Sequence, residues 1–105
     1  MSIGNQLMRG VLGEIEAERE RQDAKWGVQS HPNGTGSEDY KRRAEEMRVA
    51  CEEAFRIGRG SWGNILLEEV FEAMAESSTT RLREELVQVV AVGVAWIEAL
   101  DRERS

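Results

Sequence analysis

Apolar residues return every three or four positions along most of this chain. A first series runs Ile3, Leu7, Met8, Val11, Leu12 and Ile15, and its direction continues through Arg19, Gln22 and Trp26. A second takes in Tyr40, Ala44, Met47, Cys51, Ala54 and Phe55. A third holds Trp62, Leu66, Val70, Ala73 and Met74, and a fourth holds Leu82, Leu86, Val89, Gly93, Trp96 and Leu100. This period matches the 3.6-residue turn of an α-helix and not the two-residue alternation of a strand. The pattern predicts an all-α fold of four helices.

Local signals bound these helices. Gly27 follows Lys25-Trp26, where a glycine favours helix termination. Val28 to Ser37 contains Pro32, Asn33-Gly34 and Gly36, which mark a loop. Ser37 or Asp39 can cap the second helix, and Gly58-Arg59-Gly60 breaks the chain after it. Ser61 suits the cap of a third helix beginning at Trp62, and Ser77-Ser78-Thr79-Thr80 makes a polar turn before the fourth. From Leu86 to Ile97 only Gln88 is polar, so the apolar side chains nearly encircle the axis, as in a helix buried all round. Four short helices offer little cover for such a surface. A symmetric partner is therefore expected on its second face, giving a homodimer or a dimer of dimers, with Gly93 permitting close approach. Asp101 to Arg104 are expected to end the chain in solvent.

Composition narrows the function classes. At 105 residues, one domain covering 1–105 with a modest core is expected. Charged residues make up 32% and the net charge is −6, which argues against wide contact with a nucleic-acid polymer but not against a small phosphate ligand. The single cysteine, Cys51, excludes an internal disulfide and a cysteine zinc cluster, and its place in an apolar stripe suits a small buried hydrophobe. No signal-peptide pattern is present, and the longest apolar stretch falls short of the ~20 residues a membrane helix needs. A cytoplasmic location without membrane contact is expected. The one histidine, His31, has no second soft ligand for zinc and reads as loop surface.

The chemistry lies in the acids. Glu69 and Glu72 are three apart on the third helix, flanked by Glu68 and Glu76; Glu85 and Gln88 are three apart on the fourth. Residues at that spacing share a helix face. Glu85 falls between the directions of Val89 and Val92, inside an apolar face, and Gln88 lies at its border. Carboxylates aimed into a core are costly unless they are paired or bind a metal. Antiparallel packing of the two helices would give an oxygen-rich cation site. The plainer reading is that glutamate is a good helix former on exposed faces, which suffices for Glu68, Glu76, Glu84 and Glu98 when spacing alone is considered. Arg19 and Gln22 either run past the core or line a polar cavity. Trp26 either plugs a bundle end or stacks on a base, with Lys25 reaching a phosphate. Lys41, Arg42, Arg43 and Arg48 form either a solvated face or one that meets phosphate.

The segment LLEEVFEAMAE followed by LREELVQVVAVGVAWIEAL resembles the MazG-like, all-α nucleoside triphosphate pyrophosphohydrolase family. That family carries EExxE on one helix and ExxD on the next. Glu68-Glu69-Val70-Phe71-Glu72 matches the first motif in full, and Glu85-Leu86-Val87-Gln88 matches the second with Gln in place of Asp. The resemblance spans Ile65 to Leu100, about a third of the chain, and extends more weakly to Trp26-Gly27-Val28-Gln29-Ser30-His31. It implies a four-helix MazG-like bundle completed by dimerisation. It also implies cleavage between the α and β phosphates of a nucleotide, releasing a monophosphate and pyrophosphate. Carried over, Glu69, Glu72, Glu85 and Gln88 would hold Mg²⁺, with Mn²⁺ as a substitute, and Glu68 would orient or deprotonate the attacking water. Arg19, Gln22, Lys25 and Trp26 are candidates for binding the nucleotide. The Gln88 departure removes one of four negative charges. It keeps open a noncatalytic nucleotide- or metal-binding module, or a helical protein-interaction module, on the same fold.

Overall fold

The computed structural model describes residues 3–104, with the side chain of residue 3 outside the description. Four helices account for most of these residues: α1 (Ile3–Trp26), α2 (Glu38–Arg56), α3 (Trp62–Ala75) and α4 (Thr79–Arg104). No strand occurs among the described residues, so the chain is all-α as the periodicity predicts. No helix is long and apolar enough to cross a membrane.

Capping explains where each helix begins and ends. Gly27, at φ +70°, closes α1 in the left-handed region while its N–H bonds the Asp23 carbonyl at 2.8 Å. Ser37 is the cap of α2: its hydroxyl accepts from the Tyr40 N–H at 3.1 Å. Asp39 instead lies inside the first turn, where an acid complements the helix dipole. The end of α2 is a paired-bond glycine cap. The Gly58 N–H reaches the Phe55 carbonyl, and the Arg59 N–H reaches the Ala54 carbonyl at 2.7 Å, with Gly58 at φ +79°. Ser61 and Asn64 exchange side-chain and backbone bonds as a capping box for α3. Ser78 caps α4 through the Arg81 N–H, so Thr79 and Thr80, expected in the turn, already belong to the helix. At the far end α4 stays helical through Arg104, with Asp101 half-buried and the last three described residues exposed.

The chain forms two compact units. One comprises α1, the segment through Pro32 and the chain from Val94 onward; the other is Asn33–Gly93. In the first, Val11 and Val94 are buried, while Leu7 and Ile15 are half-buried. In the second, α2 packs along α3, and Cys51, Ala73 and Leu82 are the buried side chains, one from each of its three helical segments. The loop before α2 is tied down as well. The Gly36 N–H donates to the Met74 carbonyl at 2.9 Å, satisfying one of the orphan acceptors at the end of α3.

The apolar girdle of α4 is covered only in part by its own chain. Leu86, Val87, Val90, Ile97 and Leu100 are all exposed, with Val87 and Val90 more than half so. On α2 the basic residues are neutralised locally. Lys41 pairs with Glu38, Arg42 and Arg43 with Asp39, Arg48 with Glu45 and Glu52, and Arg56 with Glu53. Such exposed, solvent-screened pairs contribute little to stability. They favour the solvated-face reading of this segment over a phosphate-meeting one.

Candidate metal centre

The second unit brings together acids from two helices. Glu69 and Glu72 of α3 and Glu85 of α4 each offer one carboxylate oxygen, and these oxygens all lie within 4.8 Å of one another. The local part follows from the helix: three residues turn 300°, so Glu69 and Glu72 flank one edge of α3. Packing supplies the rest. Glu85 comes from α4, and Ala73, next to Glu72 in the chain, is buried. All three acids are half-buried.

Their electrostatics reflect this crowding. Two unit charges 4.8 Å apart repel by roughly 3.5 kcal/mol at an effective dielectric near ~20. Burial raises the Glu69 carboxyl above its ordinary range, and the charges of Glu85 and Glu68 raise it further. Glu72 is pushed up to about 7, first by burial, then by Glu69, Glu85 and Glu68, and finally by a hydrogen bond with Glu85. Near neutrality Glu72 is therefore partly protonated, which eases the repulsion. A bound cation would relieve it more completely.

The donor set suits a hard divalent ion. Magnesium holds oxygens at ~2.0–2.1 Å, so its ligands stand ~2.9 Å apart when adjacent and ~4.2 Å apart when opposite. Oxygens spread over as much as 4.8 Å reach that geometry through small side-chain adjustments. Three protein oxygens leave coordination positions for water and phosphate, the usual division for magnesium.

Other residues proposed from the sequence fall elsewhere. Gln88, three residues on from Glu85 along α4, is exposed. Glu68 is half-buried and stands outside the group of converging oxygens, though close enough to raise both Glu69 and Glu72. Burial first, and then Glu68 and Glu52, push the buried Cys51 thiol of α2 up to about 11.

Arg19, Gln22, Lys25 and Trp26 belong to the first unit. The Arg19 guanidinium donates to Gln22 at 3.0 Å and pairs with Asp23 at 3.0 Å. The Lys25 ammonium sits 4.8 Å from the centre of the Trp26 ring, a cation–π contact on an indole that is 63% exposed. Among the described residues, His31 lies exposed in the loop with its Nε2 3.1 Å from the Gln29 Oε1.

Comparison with known proteins returns no match: no family model, no curated protein and no solved structure is similar to this chain.

Proposed function

We propose that this chain is a Mg²⁺-dependent nucleoside triphosphate pyrophosphohydrolase of the MazG-like kind, acting as a homodimer in the cytosol. The observation that carries the reading is the convergence of Glu69, Glu72 and Glu85, one oxygen each, within 4.8 Å. Half-buried acids brought together from two helices at a cost in repulsion are the arrangement a cation would reward. The EExxE sequence adds a second, independent support, since it resembles the family's metal motif.

When bound, magnesium would neutralise charge on the phosphates and lower the pKa of a coordinated water. The remaining work falls to side chains. Glu69, Glu72 and Glu85 would hold the ion. Glu68, set just aside from them, receives a proton from the attacking water or fixes its direction. Arg19, Gln22, Lys25 and Trp26, on or beside the polar continuation of the α1 stripe, are the candidates for nucleotide binding. The exposed apolar side chains of α4 supply the dimer contact. Mn²⁺ is expected to substitute for Mg²⁺.

The test is pyrophosphate release from a panel of standard and modified nucleoside triphosphates with Mg²⁺. Turnover is expected, and Glu69→Ala is expected to abolish it. A panel-wide absence of turnover would refute the enzymatic reading. One observation favours a second reading. Gln88 carries no charge and is exposed, so the fourth position of the motif is weak. A noncatalytic module that binds nucleotide or metal predicts ligand-dependent thermal stabilisation without turnover.

A further inference from the structure

We propose that the groove between α1 and the last turns of α4 binds an aliphatic diamine or polyamine. The groove lies within the first unit and does not rest on the hydrolase reading. Its volume is about 390 Å³, and it is lined by Gln6, Leu7, Gly10, Val11 and Glu14 of α1 and by Asp101 of α4. At 100° per residue the five α1 positions fall within an arc of ~140° and run ~12 Å along the axis. One continuous helix face therefore forms the wall, with Asp101 beside it. The volume is on the scale of a small-molecule site, ~300–1,000 Å³.

The floor of the groove is apolar. Val11 is 2% exposed and Leu7 is half-buried. Gly10 keeps the space above them clear, since a Cβ built there would meet nothing within 4 Å. No close approach inside the chain requires that glycine, and a helix is more stable with alanine in its place. What Gly10 provides is open volume.

Charge selects the occupant. Glu14 and Asp101 are the two ionisable groups on the lining, and Gln6 adds an amide oxygen. Among the described residues neither acid has an ion-pair partner, whereas Glu18 and Asp23 of α1 are held by Arg21 and Arg19. Asp101 is half-buried, and Glu14 is exposed and open to a ligand. An ammonium group on a methylene chain meets both demands at once: the cation faces a carboxylate while the chain covers Leu7 and Val11. A bare metal ion leaves the apolar strip uncovered, both acids repel an anion, and a neutral chain forgoes the carboxylates. Two unpaired acids on one groove match two ammonium groups on one chain.

The probe is 1,5-diaminopentane, titrated into the full chain at neutral pH and low salt by calorimetry. Saturable binding at one site per chain is expected, with n-pentylamine weaker and pentane-1,5-diol silent. Glu14→Gln and Asp101→Asn are each expected to weaken binding about fivefold, the scale of one ion pair at a partly exposed site. Glu20→Gln removes an exposed acid of α1 outside the groove and is expected to change nothing. Gly10→Leu fills the groove and is expected to abolish binding while Tm stays at or above that of the wild type. If Gly10→Leu loses its cooperative melt, Gly10→Ala takes its place and must weaken binding without lowering Tm. Absence of saturable binding would overturn the proposal. So would a diol that binds as well as the diamine, or binding that survives filling at Gly10. Equal losses in Glu20→Gln and Asp101→Asn would overturn it too, by reducing the effect to attraction between an amine and a chain of net charge −6.

Discussion

Replacing Glu72 by glutamine separates the charge of the acidic cluster from its packing, because the carboxamide keeps the shape and removes the titration. In the metal-free protein, the Glu72 carboxyl is raised from 4.5 to about 7, mainly by burial and then by Glu69 and Glu85. The folded state thus holds this proton more tightly than the unfolded state. The resulting stabilisation is complete below about pH 4.5 and is lost as pH rises through about 7. At about 1.4 kcal/mol per pH unit, the interval corresponds to ~3 kcal/mol, and solvent at a half-buried cluster screens this to ~1–2 kcal/mol. Wild-type protein in chelator should therefore lose ~1–2 kcal/mol between about pH 5 and about pH 8.5. For a domain of this size that is a fall in Tm of ~5–15 °C. Glu72→Gln should fall less than the wild type across this window, with the raised Glu69 carboxyl as its remaining contribution, and be more stable than the wild type at the alkaline end. Glu45 and Glu53 do not confuse the window, since hydrogen bonds from Arg48 and Arg56 hold them below the usual carboxylate range. Magnesium should reverse the order. At ten times its Kd it adds ~1.4 kcal/mol to the wild type, and it should add nothing measurable to the variant. Thermal melts at the two pH values, with chelator and with magnesium, read all four states. A metal-free wild type whose Tm does not fall between the two pH values, or a glutamine variant less stable at the alkaline end, would refute the electrostatic account of this cluster.

Other consequences follow from particular contacts. Gly36→Ala should cost ~2 kcal/mol in urea denaturation, because φ is +90° and a Cβ there would stand 2.8 Å from the Ser77 Oγ; a midpoint equal to wild type would show that this loop does not hold α3. Val90→Asp, on a side chain 53% exposed within the chain, should leave the fold intact and convert a dimer to a monomer in sedimentation equilibrium. A wild type already monomeric in that experiment would remove α4 as an interface. Gln88→Asp adds a negative charge one turn from Glu85 and should tighten magnesium binding several-fold by calorimetry; weaker binding would show that this position opposes the cation.

Much of the local structure was legible because it depends on neighbours in the chain. The Ser37 and Ser61 caps, the Gly58 stop and the period of each apolar stripe need only a few consecutive residues. The same holds for the Glu69–Glu72 pair, whose common edge is a property of α-helix geometry. The basic run on α2 was only half legible. Its acids at three and four residues were visible in the sequence, but whether they or a ligand would take the charges depended on rotamers.

The sequence by itself determined that the chain is helical, where most of its helices start and stop, and which acids share a helix edge. Only the tertiary structure decided which acids meet across helices. Glu85 joins Glu69 and Glu72, Glu68 stands outside that group, and Gln88 is left exposed, although all five polar side chains lie on two consecutive helices. The physical reason is rotational. Helix geometry sets the angle between residues on one axis, whereas the facing of α3 toward α2 and α4 is set by the packing of Cys51, Ala73 and Leu82. A shift of one residue turns a helix by 100° and would bring a different set of acids together.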